Sequence, residues 1–133
     1  MQAQLKRQIR EERLSDYITL LGHVPYDELP TVYADHDLFL YPGRWDEPFG
    51  RVFLEAMSSG TPVFATDVGN VENIIGDCGR VARYSNSVEF SAALNSMLDH
   101  DLLESYASRT SEQLERYYPE AVGAKFLDLY ESL

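Results

Sequence analysis

Short apolar runs alternate with amphipathic segments along most of the chain. Three runs, at residues 17–21, 38–41 and 63–66, are rich in β-branched and aromatic residues, and each is followed by glycine, proline or aspartate. This pattern predicts buried strands. A weaker run at 80–83 predicts a fourth strand.

Apolar residues at helical spacing fill the intervals between these strands. They predict a helix at 2–13, a short helix that Asp27 caps and that ends near Ala34, and a helix at 51–59 that stops at Gly60. One or two helical turns are expected at 71–75. Three helices are expected at 88–98, 102–117 and 120–132, the last with an apolar stripe that is most simply core. This alternation predicts an α/β fold, a parallel sheet of about four strands covered on both faces and followed by three C-terminal helices.

Composition and charge narrow the possible functions. A length of 133 residues favours a single domain over 1–133, and the 44% hydrophobic content suffices for a core. The formal charge of −11 disfavours binding to nucleic acid or to anionic membranes. One cysteine, Cys78, excludes an internal disulfide or a cysteine-based metal site, so packing is its expected role. No apolar leader or membrane span is visible, and the cytoplasm is the expected location.

The chemistry of the chain concentrates between Tyr41 and Met57. Ligands of parallel sheets sit beyond the carboxyl ends of the strands, beside helix N-termini. Gly50 lies at such a helix start, where free amides and a partial positive charge suit a phosphate. Glu47 and Glu55 bracket this turn and can accept hydrogen bonds from vicinal hydroxyls. From these residues alone, a diphosphate ligand with hydroxyls and a capped helix start with a surface glutamate remain equally open.

The motifs and their order resemble a known family. They are residues 21–30 (LGHVPYDELP), 47–50 (EPFG), 55–57 (EAM), 60–63 (GTPV) and 65–69 (ATDVG). Together they resemble the C-terminal, donor-binding domain of retaining GT-B glycosyltransferases, the glycosyl transferases group 1, or family 4. The resemblance covers nearly the whole chain and implies a Rossmann-like domain that binds a nucleotide-sugar.

The resemblance implies a role for each matching residue. Glu47 would act in catalysis by facing the hydroxyls of the donor sugar, and Glu55 would bind the ribose. The sugar and phosphates would contact the backbone of Phe49, Gly50, Arg51 and Val52, and the base would lie near the loop of His23, Val24 and Pro25. The sugar would be transferred with retention to an unknown acceptor, without a metal or other cofactor.

The sequence also departs from the family pattern. The acceptor-binding N-terminal domain, the first two strands of the donor domain and an Arg…Lys pair that neutralises the diphosphate have no counterpart in the chain. Arg44 or Arg51 could partly replace that pair, although solvated roles are expected for both. We therefore expect the isolated chain to be inactive, and a second copy or a partner chain to complete the sheet. The alternative is a non-catalytic nucleotide-sugar-binding or remnant module.

Two Asp-His-Asp segments imitate a metal–diphosphate signature. Asp37 precedes a strand, at the edge of the sheet opposite the expected ligand site. Asp99 lies between two predicted helices, where short polar residues commonly cap the start of the following helix. Structural roles are expected for both segments, and no metal site is predicted.

Overall fold

A parallel sheet of three strands forms the centre of the protein. The computed structural model describes residues 2–84 and 86–133. Its strands are β1 (Phe39–Tyr41), β2 (Val63–Thr66) and β3 (Gly79–Ala82), in the order β1-β2-β3. Leu40 pairs with Phe64, which in turn pairs with Arg80. The predicted fold class, a parallel α/β fold, is confirmed, with three strands in the described residues instead of about four.

The described part of the chain contains eight helices. They are α1 (Gln2–Glu11), α2 (Leu29–Ala34), α3 (Arg51–Ser58), α4 (Val71–Ile75), α5 (Ser87–Asn95), α6 (His100–Ala107), α7 (Thr110–Glu115) and α8 (Pro119–Glu131). None of the helices described in 2–84 and 86–133 is long and apolar enough to cross a bilayer.

The core lies on both faces of β2, which is buried along its whole length. Because successive strand side chains point to opposite faces, Val63 and Ala65 pack with the buried residues of α3 and α4, including Phe53. Phe64 points the other way and packs with Phe90 and Met97. Helices therefore cover the sheet on two sides, as the uninterrupted apolar strand predicts.

Several predicted elements differ in the structure. Residues 17–21 form no strand. The amides of Tyr17 and Ile18 donate to the Leu14 carbonyl, and the side chains of Tyr17 and Leu21 are exposed. A strand needs a neighbouring strand for its backbone groups, and this segment has none in the described residues. The expected cap by Asp27 is also wrong, since Glu28 holds the N-cap position and makes no side-chain cap bond.

The C-terminal region contains four helices and not the expected three. The predicted helix at 102–117 is divided at Ser108 and Arg109, between α6 and α7. Most of the apolar stripe of the last helix is not core, because Phe126, Leu129 and Tyr130 are exposed, whereas Val122 is half-buried. The helices at 2–13, 51–59, 71–75 and 88–98 are confirmed within a few residues of their predicted bounds.

Candidate functional site

A tight turn joins the carboxyl end of β1 to α3, and Gly50 is its critical residue. Gly50 is buried at the N-cap of α3, with φ +64° and ψ +62°, in the left-handed region. A Cβ at this position would overlap the ring of Phe53, which is fully buried and stacks edge-on with Tyr41 at 5.0 Å between ring centroids. The turn therefore needs glycine for its backbone angle and for the close approach of Phe53.

Glu47 folds back over the start of this helix. Its Oε1 accepts a hydrogen bond from the Gly50 amide at 2.9 Å, and the residue is half-buried. The Glu47 backbone is held from the other side, where the Asn70 amide donates to its carbonyl at 3.3 Å. Gly69 touches the same backbone so closely that a Cβ would overlap it. The turn before α4 thus fixes the position of Glu47, while its carboxylate occupies the Gly50 amide.

The next amides of α3 remain available to a ligand. Phe53 N bonds the Gly50 carbonyl at 3.0 Å, whereas the amides of Arg51 and Val52 stand in the first turn, where the helix supplies no acceptor. Their N–H groups and the helix dipole make this position favourable for an anion. Phe49 precedes this anion-binding position in the chain, and its ring is half-exposed.

Glu55 lies one turn further along α3 and faces α2. Its side chain is 23% exposed, and Oε1 is 3.9 Å from a terminal nitrogen of Arg51. The pKa of Tyr33 is raised by burial and then by the charge and hydrogen bonding of Glu55. Both residues line a cavity of about 100 Å³ together with Tyr26, Leu29, Pro30 and Ser58. Glu47 does not line this cavity, so in this structure the two carboxylates have separate partners rather than one shared pocket.

The predicted base loop directly precedes Tyr26, a residue that lines this cavity. His23 and Pro25 are exposed and Val24 is half-buried, and none of the three lines the cavity. Tyr26, the following residue, does line it and is 67% exposed. Sequence reasoning overlooked Tyr26 and Tyr33; the available signal was an aromatic residue directly after the loop and another one helical turn beyond Pro30.

A larger cavity, of about 430 Å³, lies at the same edge of the sheet, beyond β2 and β3. It is lined by Gly43, Arg44, Thr66, Val68 and Tyr84, together with Asp67. The buried Thr66 hydroxyl donates to the Gly43 carbonyl, which ties the loop after β1 to the end of β2. The Arg44 guanidinium lies 4.2 Å from the centre of the Tyr84 ring, a cation–π contact. Both arginines near α3 thus already have partners, Arg44 on Tyr84 and Arg51 on Glu55.

The two Asp-His-Asp segments lie at the opposite edge of the sheet. Their residues His36, Asp37 and His100 line one cavity of about 520 Å³, next to the amino end of β1. Asp99 caps α6 by accepting from the Leu102 amide at 3.1 Å, which confirms its structural role. In the described residues, 2–84 and 86–133, no group of three His, Cys, Asp or Glu side chains is placed to hold a metal ion. Cys78 is fully buried in the core, as expected.

A parallel α/β sheet with a glycine-started helix at its carboxyl edge is typical of proteins that bind phosphate-containing ligands. Comparison with known proteins makes the class specific. The chain belongs to the family described as glycosyl transferases group 1, whose model matches residues 1–116.

Three known proteins illustrate the similarity. The phosphatidyl-myo-inositol mannosyltransferase of Mycolicibacterium smegmatis is 30% identical over 131 residues, which cover 95% of this chain and 34% of that protein. The structure of sucrose-phosphate synthase from Thermosynechococcus elongatus has a TM-score of 0.81 at 24% identity and is matched over 98% of this chain and 33% of its own. HepE of Anabaena, in complex with UDP and glucose, has a TM-score of 0.79 at 26% identity, over 98% of this chain and 36% of its own.

These similarities confirm the GT-B family predicted from the motifs. The chain spans about a third or less of the length of the curated relatives that it matches.

Proposed function

We propose that this chain forms the donor-binding half of a retaining glycosyltransferase and takes a nucleotide-sugar at the amino end of α3. The observation that carries the proposal is the turn from Glu47 to Gly50, which brings a carboxylate and unpaired helix amides to the carboxyl edge of the sheet. Related proteins support the choice of ligand, since HepE has been solved with UDP, with UDP and glucose, and with UDP-glucose.

The diphosphate binds to the first turn of α3. The amides of Arg51 and Val52 donate to its oxygens, and the helix dipole stabilises the negative charge. The Gly50 amide becomes a third donor when Glu47 releases it. Freed from this bond, the Glu47 carboxylate accepts from hydroxyls of the donor sugar, while Phe49 borders the sugar with its half-exposed ring.

The nucleoside occupies the surface between α2 and α3. Glu55 accepts hydrogen bonds from the two ribose hydroxyls, a pairing that suits a carboxylate with two oxygens. The base lies on the side of His23, Val24 and Pro25, where the exposed ring of Tyr26 offers an aromatic face.

The reaction transfers the sugar from the diphosphate to an acceptor hydroxyl on the same face of the ring. The bond between the anomeric carbon and the diphosphate breaks, the bond to the acceptor oxygen forms, and the donor phosphate accepts the acceptor's proton. Backbone N–H groups aimed at the departing diphosphate stabilise its charge as it develops. No metal or other cofactor takes part in this scheme.

Catalysis requires a second polypeptide or segment that supplies the acceptor site. The chain spans only about a third of its curated relatives, and β1 pairs with β2 alone, so its other edge is open in the described residues. An open edge favours pairing with another strand. We propose that a partner chain or a second copy pairs there, in the cytoplasm, where a reducing environment suits the free thiol of Cys78. Light scattering at tens of micromolar tests the second copy, and a monomer excludes it.

Calorimetric titration with UDP-, GDP- and ADP-sugars tests the donor site. We expect one of them to bind, and Glu55→Ala to weaken binding by about tenfold to a hundredfold, because charge-assisted hydrogen bonds contribute ~1.5–3 kcal/mol. Glu104→Ala is the matched control, since Glu104 lies at the opposite edge of the sheet and should leave binding unchanged. Equal affinities of wild type and Glu55→Ala would contradict the ribose role, and no binding of any donor by wild type would reject the proposal.

One observation favours the alternative of a binding module without catalysis. In this structure Arg44 contacts the Tyr84 ring and Arg51 contacts the Glu55 carboxylate, so each would have to leave that partner to neutralise a departing diphosphate. Hydrolysis or transfer of a bound donor distinguishes the two functions. A chain that binds the donor but forms no product with any acceptor-binding partner would be such a module.

A further inference from the structure

Tyr117 connects the C-terminal region to the turn before α3. It lies two residues after the end of α7, is half-buried, and packs edge-on against Phe49 with 6.2 Å between ring centroids and 75° between ring planes. Phe49 is the residue immediately before Gly50. A residue far along the chain thus contacts the loop to which the diphosphate and sugar are assigned.

The hydroxyl of Tyr117 is anchored at the end of α4. It donates to the Asn73 carbonyl at 3.2 Å and lies 3.5 Å from the Ile74 carbonyl. Gln113, buried on α7, donates to the same two carbonyls at 3.2 and 2.8 Å. Burial raises the pKa of Tyr117 above its ordinary value. Tyr117 therefore has a fixed position relative to α4.

The opposite end of α4 holds the other side of the same loop. Asn70, at its N-cap, donates its amide to the Glu47 carbonyl, and Gly69 is packed against the Glu47 backbone. The loop is thus contacted at Glu47 by the start of α4 and at Phe49 by a ring that is fixed to the end of α4. Two contacts on one rigid element restrain a loop more strongly than either alone.

We propose that Tyr117 is a positioning residue for the donor site, whose ring holds Phe49 and thereby sets the turn from Glu47 to Gly50. The proposal rests on the proposed function only in assigning the donor to this turn. The positioning itself is a property of the ligand-free protein and can be measured without a donor.

Trp45 reports on the loop directly. It is the chain's single tryptophan, it lies four residues before Phe49, and it is 75% exposed. Its fluorescence anisotropy follows nanosecond motion of the loop. The variants are Tyr117→Leu, which removes the ring, and Tyr117→Phe, which keeps the ring and removes the hydroxyl. Tyr118→Leu is the matched control, because the neighbouring Tyr118 is exposed and makes no ring contact with Phe49.

We expect Tyr117→Leu to lower the anisotropy of Trp45 and to weaken binding of the donor by about twofold to tenfold, the range for loss of an aromatic pair. Tyr117→Phe keeps the ring contact but loses the anchoring hydroxyl, so both values should lie between those of wild type and Tyr117→Leu and the melting temperature should fall, while Tyr118→Leu should change neither value. A folded Tyr117→Leu protein with the anisotropy of wild type would overturn the proposal.

A second variant keeps the test decisive if Tyr117→Leu fails to fold. Phe49→Leu removes the half-exposed partner ring and should lower the anisotropy by itself. If Tyr117→Leu folds, the double variant should add nothing to Phe49→Leu, since both remove one contact. Unchanged anisotropy in Phe49→Leu would also overturn the proposal. Failure of every donor to bind wild type would reject the proposed function, whereas the anisotropy result would still decide the role of Tyr117.

Discussion

Replacing Gly50 by alanine tests whether the turn before α3 depends on the absence of a side chain. The substitution adds one methyl group at a backbone angle of φ +64°. That methyl group would overlap the Phe53 ring and come within 3.0 Å of Glu47 Cγ. Phe53 is fully buried and packs against Phe39 and Tyr41, so it has little room to move.

Two costs add in this variant. A non-glycine residue in the left-handed region costs ~1–2 kcal/mol, and forcing extra volume into a packed core costs ~1–3 kcal/mol. Alanine recovers about 0.4–1 kcal/mol by restricting the unfolded chain. We therefore expect the free energy of unfolding to fall by about 1–4.5 kcal/mol.

Gly60→Ala separates the two costs. Gly60 has φ +78°, also left-handed, but a Cβ there would meet no atom within 4 Å. This variant should lose only about 1 kcal/mol, so the difference between the variants measures the clash with Phe53. Urea unfolding followed by circular dichroism gives both values. Equal losses in the two variants would refute the packing argument.

Two further predictions concern the core and the helix caps. Burial, and next the charge of Asp77, raises the pKa of Cys78 to about 11, so the thiol should resist alkylation in the folded protein. Because the folded chain then holds this proton more tightly than the unfolded chain, the contribution of Cys78 to the free energy of unfolding should be lost as the pH rises from 9 to 11. Urea unfolding of wild type and Cys78→Ala at pH 8 and pH 10.5 measures this loss. Parallel pH dependences of the two proteins would contradict it. Asp99→Ala should lower the free energy of unfolding by about 1 kcal/mol, because it removes the cap on the Leu102 amide. Asp101→Ala removes no cap bond and should lower it by less. Equal urea midpoints for Asp99→Ala and wild type would show that this cap does not stabilise the protein.

The elements around the proposed donor site could be predicted because their signals are local. Residues 38–41 and 63–66 are apolar runs bounded by proline, glycine or aspartate, and Gly50 and Gly60 mark the two ends of α3. Glycine at a helix boundary reflects a backbone angle that other residues rarely adopt. The bounds of β1, β2 and α3 therefore follow from the sequence to within one residue.

The elements that could not be predicted depend on distant neighbours. Residues 17–21 have the composition of a strand, but a strand forms only where another strand accepts its hydrogen bonds. The break between α6 and α7 at Ser108 carries neither glycine nor proline, and the Ser108 hydroxyl bonds the Ser105 carbonyl there. The stripe on α8 has helical spacing, which reveals an amphipathic helix without revealing what covers it.

The same distinction applies to the candidate site. The motif identifies Glu47, Gly50 and Glu55 as candidate site residues without any knowledge of the folded structure. The partners of their carboxylates were not, because the Gly50 amide and the Tyr33 hydroxyl become neighbours only in the folded chain.

The hydrogen bond from the Gly50 amide to Glu47 means that the ligand-free protein carries its own substitute anion. A phosphate that takes the Gly50 amide in addition to those of Arg51 and Val52 must displace that carboxylate, and the displaced acid then needs a new donor. Inorganic phosphate brings no hydroxyl group for it, whereas a sugar linked to the diphosphate does. Under the proposed function, this internal competitor would favour ligands in which phosphate and sugar arrive together.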